Sequence, residues 1–90
     1  SLLPSSLEMG IYPNPTNGSA RLIVNFPVSG YGSIQIYDMS GRQVKSILDN
    51  RINAGLHEFV IDGSQFPTGM YMIKLDSEHG KHISPLMFVK

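Results

Sequence analysis

An all-β fold, a seven-stranded antiparallel β-sandwich, is what this sequence predicts. Short segments alternate apolar and polar residues with period 2, and turn signals recur about every eight to twelve residues. No window holds a helical period, and the one stretch long enough to tempt, Ser40 to Asn50, contains Gly41 and the β-branched Val44 and Ile47.

The central hairpin organises the chain. Ile34 and Ile36 alternate with Ser33 and Gln35, as in a half-buried strand. Asp38, Ser40 and Gly41 then arrive together. Asp and Ser side chains bond nearby backbone groups and Gly accepts positive φ, so a tight reversal is expected, with Met39 folded over its end as an apolar plug. The return arm should run from Gln43 to about Leu48, where Asp49-Asn50 breaks it and residues 51–55 connect onward.

Before the hairpin, Leu7 to Ile11 suits a short first strand. Tyr12-Pro13-Asn14-Pro15 must be an extended turn, because each proline fixes its own φ and pushes its predecessor out of the helical region. Asn17-Gly18 is a strong turn signal. Asn17-Gly18-Ser19 also spells a glycosylation acceptor, for which the turn reading is preferred. Ser19 to Phe26 is the clearest strand: Ala20, Leu22, Val24 and Phe26 share the inner face, and Ser19, Arg21 and Asn25 the outer one. Pro27 stops it, and residues 28–32 turn the chain into the hairpin.

After the hairpin, Leu56 to Ile61 is a strand with Phe59 and Ile61 inside and His57 at the same parity. Residues 62–69 form a longer loop in which Phe66, its single large apolar residue, tucks inward. Met70 to Leu75 is a strand with Tyr71, Ile73 and Leu75 on one face. Residues 76–80 turn it, and Lys81 to Val89 is the last strand. Pro85 cannot donate to a ladder, so that strand sits at an edge or bends there.

Ninety residues suit one domain with a modest core, since a chain this short buries only about 60–65% of its unfolded surface. With no cysteine there is no disulfide, no thiolate chemistry and no Cys-based zinc site. Seven basic and seven acidic residues balance, and the absence of a basic stripe argues against nucleic acid as a partner. No apolar run approaches the ~18 residues of a transmembrane span, and the opening residues lack the basic flank and length of a signal peptide. The lack of an initiating Met suggests a segment of a larger polypeptide.

Several motifs together resemble a known family. They are Tyr12-Pro13-Asn14-Pro15, Ile36-Tyr37-Asp38-Met39-Ser40-Gly41-Arg42, Gly55-Leu56-His57, Phe66-Pro67-Thr68-Gly69-Met70-Tyr71, and a closing apolar tail with a terminal lysine. Singly each is weak; in this order and spacing the set resembles the C-terminal sorting domain of the type IX (Por) secretion system of Bacteroidota, subtype A, over about residues 10–90. The middle motif and Gly69-Met70-Tyr71 also resemble the immunoglobulin-like domain of the flagellar hook-capping protein, which implies the same sandwich.

The resemblance implies residues 1–8 as a linker from a preceding cargo domain and 9–90 as the sorting domain. It implies a cargo protein that crosses the periplasm, is recognised by the type IX outer-membrane translocon, and ends at the cell surface or secreted. A sortase-like surface protease then usually removes the domain and joins the cargo to anionic lipopolysaccharide. Translocon recognition maps onto Leu86, Met87, Phe88, Val89 and Lys90. Ser84-Pro85 departs from the family pattern, where a basic residue or Thr is commoner. The departure leaves room for a retained binding or adhesion module. Physically, an edge strand exposes unpaired N–H and C=O groups to which a partner can add a strand. The same tail can equally complete the sheet.

Chemistry is sparse. His79 and His82, with Glu78 adjacent, show no third ligand and read as solvated polar residues. His57 has no nucleophile and orienting acid spaced to pair with it, and reads as a half-buried histidine bonded to backbone. Asp38 reads as bonding the N–H groups of its own turn rather than as an acid or metal ligand. Tyr12, Tyr31, Tyr37 and Tyr71 could stack on sugar rings, but they are scattered rather than set as a stripe. Arg42 reads as a solvated charge or a contact for an acidic partner. Gly55 and Gly69 serve turn geometry rather than phosphate, since no helix start follows them. These residues imply no enzyme, no metal and no cofactor.

Overall fold

A computed structural model describes residues 7–89. Residues 1–6 of the expected linker, and Lys90 of the expected recognition tail, lie outside the described residues. Seven strands follow in order: β1 (Glu8–Tyr12), β2 (Ser19–Phe26), β3 (Gly30–Asp38), β4 (Gln43–Ile52), β5 (Gly55–Asp62), β6 (Gly69–Ser77) and β7 (Gly80–Phe88). A single 3-10 turn, Gly63–Gln65, sits between β5 and β6. The strands form two antiparallel sheets, ordered β1-β2-β5 and β4-β3-β6-β7, the layout of an immunoglobulin-like sandwich.

The period-2 faces hold. Ala20, Leu22 and Val24 of β2, Ile34 and Ile36 of β3, Ile61 of β5 and Ile73 and Leu75 of β6 are 0% exposed, and they meet between the sheets. His57 and Phe59 are half-buried at the parity of Ile61. Phe66 is buried beneath the 3-10 turn, whose start is capped by Asp62 accepting from the Ser64 N–H at 3.0 Å. Tyr71 is buried at the start of β6 and its hydroxyl donates to the Pro67 carbonyl at 2.7 Å, the tyrosine corner of such sandwiches.

Three expectations change. Met39 does not plug the hairpin; it is 65% exposed. The turn closes on its own bonds instead, with Asp38 N–H donating to the Arg42 carbonyl at 2.9 Å and Gly41 N–H, at φ 90°, to the Asp38 carbonyl at 3.0 Å. Asp49-Asn50 does not end the fourth strand, which runs on to Ile52 with Asp49 opposite Ser33 and Asn50 opposite Gly32. As an edge strand, β4 tolerates polar residues on its exposed positions, and Asp49 accepts a hydrogen bond from the Tyr31 hydroxyl. Asn25 lies on the outer parity of β2, yet it is buried between Glu8 of β1 and Leu56 of β5, its register partners.

The first strand is also fastened at its start. Leu7 is buried in the core, Glu8 opens β1, and His82 Nε2 donates to the Leu7 carbonyl at 2.7 Å.

Candidate functional site

The closing residues form the end of β7, an edge of the four-stranded sheet, as Pro85 suggested. Alternation splits the tail into two sets. Leu86 and Phe88 point into the core, at 0% and 1% exposure, while Met87 is half-buried and Val89 is 42% exposed on the outer side. The expected recognition set is therefore not one surface: Leu86 and Phe88 are internal, and Lys90 lies outside the described residues.

Phe88 is held by aromatic rings. It stacks on Phe66 with centroids 5.0 Å apart and planes 8° from parallel, and it meets Tyr71 edge-on at 5.6 Å. Gly63 leaves the room for this. A Cβ there would lie 2.1 Å from the Gly18 carbonyl oxygen and 2.7 Å from the Phe88 ring.

The outer edge of the tail differs from expectation. Its backbone groups are not left unpaired, because the loop of residues 13–18 lies against them; Tyr12, expected in that turn, ends β1 opposite Arg21. The Asn14 amide donates to the Pro85 carbonyl at 2.9 Å and accepts from the Met87 N–H at 3.1 Å. Thr16 N–H donates to the Met87 carbonyl at 3.0 Å, and the Val89 N–H donates to the Thr16 carbonyl at 2.8 Å, a short parallel bridge. Asn14 thus acts as one rung of a ladder and Thr16 as the next.

Thr16 is itself buried and fully engaged: its hydroxyl donates to the Ser19 carbonyl at 3.1 Å and accepts from the Gly18 N–H at 3.2 Å. The expected Asn17-Gly18 turn therefore fixes Thr16, and Thr16 fixes the tail. Both X–Pro bonds of the loop, Tyr12–Pro13 and Asn14–Pro15, are cis. Since Met87 and Val89 spend their N–H groups outward, alternation also sends the Pro85 nitrogen outward. The ladder with β6 loses no donor to that proline, which explains how Ser84-Pro85 fits here.

The other candidates stay apart. His57 is half-buried, with Nε2 donating to the Asn53 carbonyl at 2.7 Å and its ring edge-on to Phe26 at 5.7 Å, the backbone-bonded role expected. His79 is exposed on the β6–β7 turn, whereas His82 is tied to Leu7 rather than merely solvated. Among the described residues, no group of three or more His, Asp or Glu comes together to hold a metal. Asp38 bonds its own turn: Oδ1 accepts from Ser40 Oγ at 2.6 Å and from the Ser40 and Arg42 N–H groups at 3.0 Å. The Ser40 hydroxyl first, then the Arg42 N–H, hold its carboxyl below the ordinary carboxylate value. Arg42 is exposed and pairs with Asp38 at 3.6 Å.

The four tyrosines do not gather. Tyr12 is exposed on the three-stranded sheet, Tyr31 and Tyr37 face outward from β3, and Tyr71 is internal. Gly55 and Gly69 open strands at φ 119° and 152°, in keeping with turn geometry.

Sequence comparison decides the family. The family model described as "Secretion system C-terminal sorting domain" matches residues 10–89. The chain belongs to this family of type IX secretion sorting domains. No curated protein matches the sequence. The match places the clamping loop, the central hairpin and the tail of the sorting domain within one family segment. A type IX sorting domain is a C-terminal secretion signal, acts with the secretion machinery, and implies export to the cell surface or beyond. No helix among the described residues of the sorting domain is long and apolar enough to cross a membrane.

Neither Asn14 nor Thr16 stood out as a contact of the tail in the sequence. The signal was an Asn held between two prolines, a polar side chain in a stretch unable to pair as a regular strand.

Proposed function

We propose that this chain is the address label of an exported cargo: it crosses the periplasm with the cargo, the outer-membrane translocon reads its tail, and a sortase-like protease then removes it. The cargo passes to the cell surface, joined to anionic lipopolysaccharide, or to the medium. In this reading the domain catalyses nothing; its work is to be bound. The carrying observation is the family match over residues 10–89, which runs from within β1 through the end of β7. Among the described residues of the tail, Met87 and Val89 are the side chains that the folded domain offers, because Leu86 and Phe88 face the core.

The test fuses the whole chain to a reporter carrying a periplasmic signal, in a host with a type IX system. Replacing Met87 and Val89 together by serine should hold the reporter in the periplasm while the purified domain still melts cooperatively. Normal secretion from that variant would refute the tail assignment. These variants are cleaner than deleting residues 86–90, which also empties part of the core.

A second reading has one observation in its favour. The outer face of the three-stranded sheet carries a shallow hollow of about 330 Å³, with Gly10 and Ile23 between the exposed Tyr12 and Leu56. A domain retained on the mature protein could use such a face as a binding module. Recovery of the intact domain on mature surface protein would favour that reading over removal.

A further inference from the structure

Resting on the sorting reading above, we propose that the secretion machinery docks on a composite surface, in which Pro13, Pro15 and Asn17 of the loop stand beside Val89 of the tail. The occupant is a protein component of that machinery presenting an uncharged, largely apolar projection, not an added strand and not a polyanion.

Four observations lead there. First, the tail's outer backbone is taken: Asn14 and Thr16 bond Pro85, Met87 and Val89. A strand added at these residues would have to displace four hydrogen bonds before making its own. Second, those bonds join loop and tail into one continuous surface, although Asn14 stands 71 residues from Pro85. Third, this junction holds a hollow of about 460 Å³ lined by Pro13, Pro15, Thr16, Asn17 and Val89. Pro13, Pro15 and Asn17 are exposed, and Val89 is 42% exposed.

Fourth, none of those five side chains carries a formal charge. A polyanion such as lipopolysaccharide is gripped through Lys and Arg, and none lines the hollow among the described residues. An apolar rim around a recess suits a protein projection whose binding concentrates in a few buried contacts. Any partner that reads Val89 on the folded domain must cover the loop as well, because the two share that recess.

The experiment uses the reporter fusion carrying the whole chain, with Asn17→Lys and Pro13→Ser as loop variants and Val44→Ser on β4 as a surface control. Export is the fraction of reporter outside the cell, and each purified chain is melted in parallel. Each loop variant should cut export by about tenfold, the loss expected when one interface contact is removed. Asn17→Lys should keep its melting temperature, and Val44→Ser should export normally. If Pro13→Ser melts lower, Asn17→Lys alone decides.

Normal export from a well-folded Asn17→Lys chain would overturn the composite surface. The failures remain separable. Tail variants that block export beside loop variants that do not would sink only the composite surface. Tail variants that export normally would sink the tail assignment, and an unaltered fusion that stays in the periplasm would sink the sorting reading itself.

Discussion

Asp38 shows how much one side chain can organise. Its carboxylate gathers three donors of the hairpin turn, which leaves Met39 no role in closing it. Its pKa is lowered on folding, so the stabilisation is present above the unfolded value and is lost as pH falls through the folded value. The melting temperature should therefore drop on acidification below about pH 4, near the ordinary Asp pKa. Asp38→Asn should show a shallower acid drop, and the two curves should converge at the lowest pH. Parallel curves across that range would assign the acid sensitivity to other carboxylates.

Gly63 makes the complementary case of space rather than charge. A methyl group there has nowhere to go, since the Gly18 carbonyl and the Phe88 ring flank it. Gly63→Ala should cost about 3 kcal/mol through forced displacement of backbone or ring. Urea denaturation measures that loss, and the aromatic signals of Phe88 should shift with it.

At the scale of elements, the two edges of the four-stranded sheet are guarded by different means. β4 carries Lys45, Asp49 and Arg51, and the pairing with β3 skips Val44 and Ile47 as bulges, both of which discourage further strand pairing. β7 instead has a loop laid along its last turn of ladder. The Asn14 amide supplies a donor and an acceptor in the manner of a peptide group. Because Asn14 is exposed, losing it costs only the net value of hydrogen bonds already open to water, about 1 kcal/mol for Asn14→Ala. Hydrogen exchange should resolve the effect by site: the Met87 amide should exchange several-fold faster, while the Val89 amide, bonded to Thr16, should change little. Equal acceleration of both would mean that Asn14 holds the whole loop in place.

For the whole molecule, the tail is both a surface and a structural member. Phe88 closes an aromatic cluster with Phe66 and Tyr71, and Leu86 is fully buried beside it. Phe88→Ala alone should cost about 3–5 kcal/mol. Removing residues 86–90 takes away both side chains and the last ladder pairs, against a total stability of about 5–15 kcal/mol for a domain. The truncated chain should lose its cooperative calorimetric transition. An export defect in such a truncation would then report unfolding as much as lost recognition, which is why the outward pair Met87 and Val89 makes the sharper test.

The sequence by itself determined which segments are strands and which side faces the core, because side-chain alternation is local and has a period of two residues. Ala20 to Phe26, Phe59 with Ile61, and Tyr71 to Leu75 could be oriented from their own neighbours, and the spacing of the motifs was enough to indicate the family. Local residues misled where pairing overruled them: Asp49-Asn50 looked like a stop but is carried by β3, and Met39 looked like a plug but lies beyond the core. Only the tertiary structure decided that Asn14 and Thr16 cover the tail and that Phe66, Tyr71 and Gly63 receive Phe88. Those contacts join residues as many as 73 positions apart, and sheet order, which no local pattern encodes, is what brings them together.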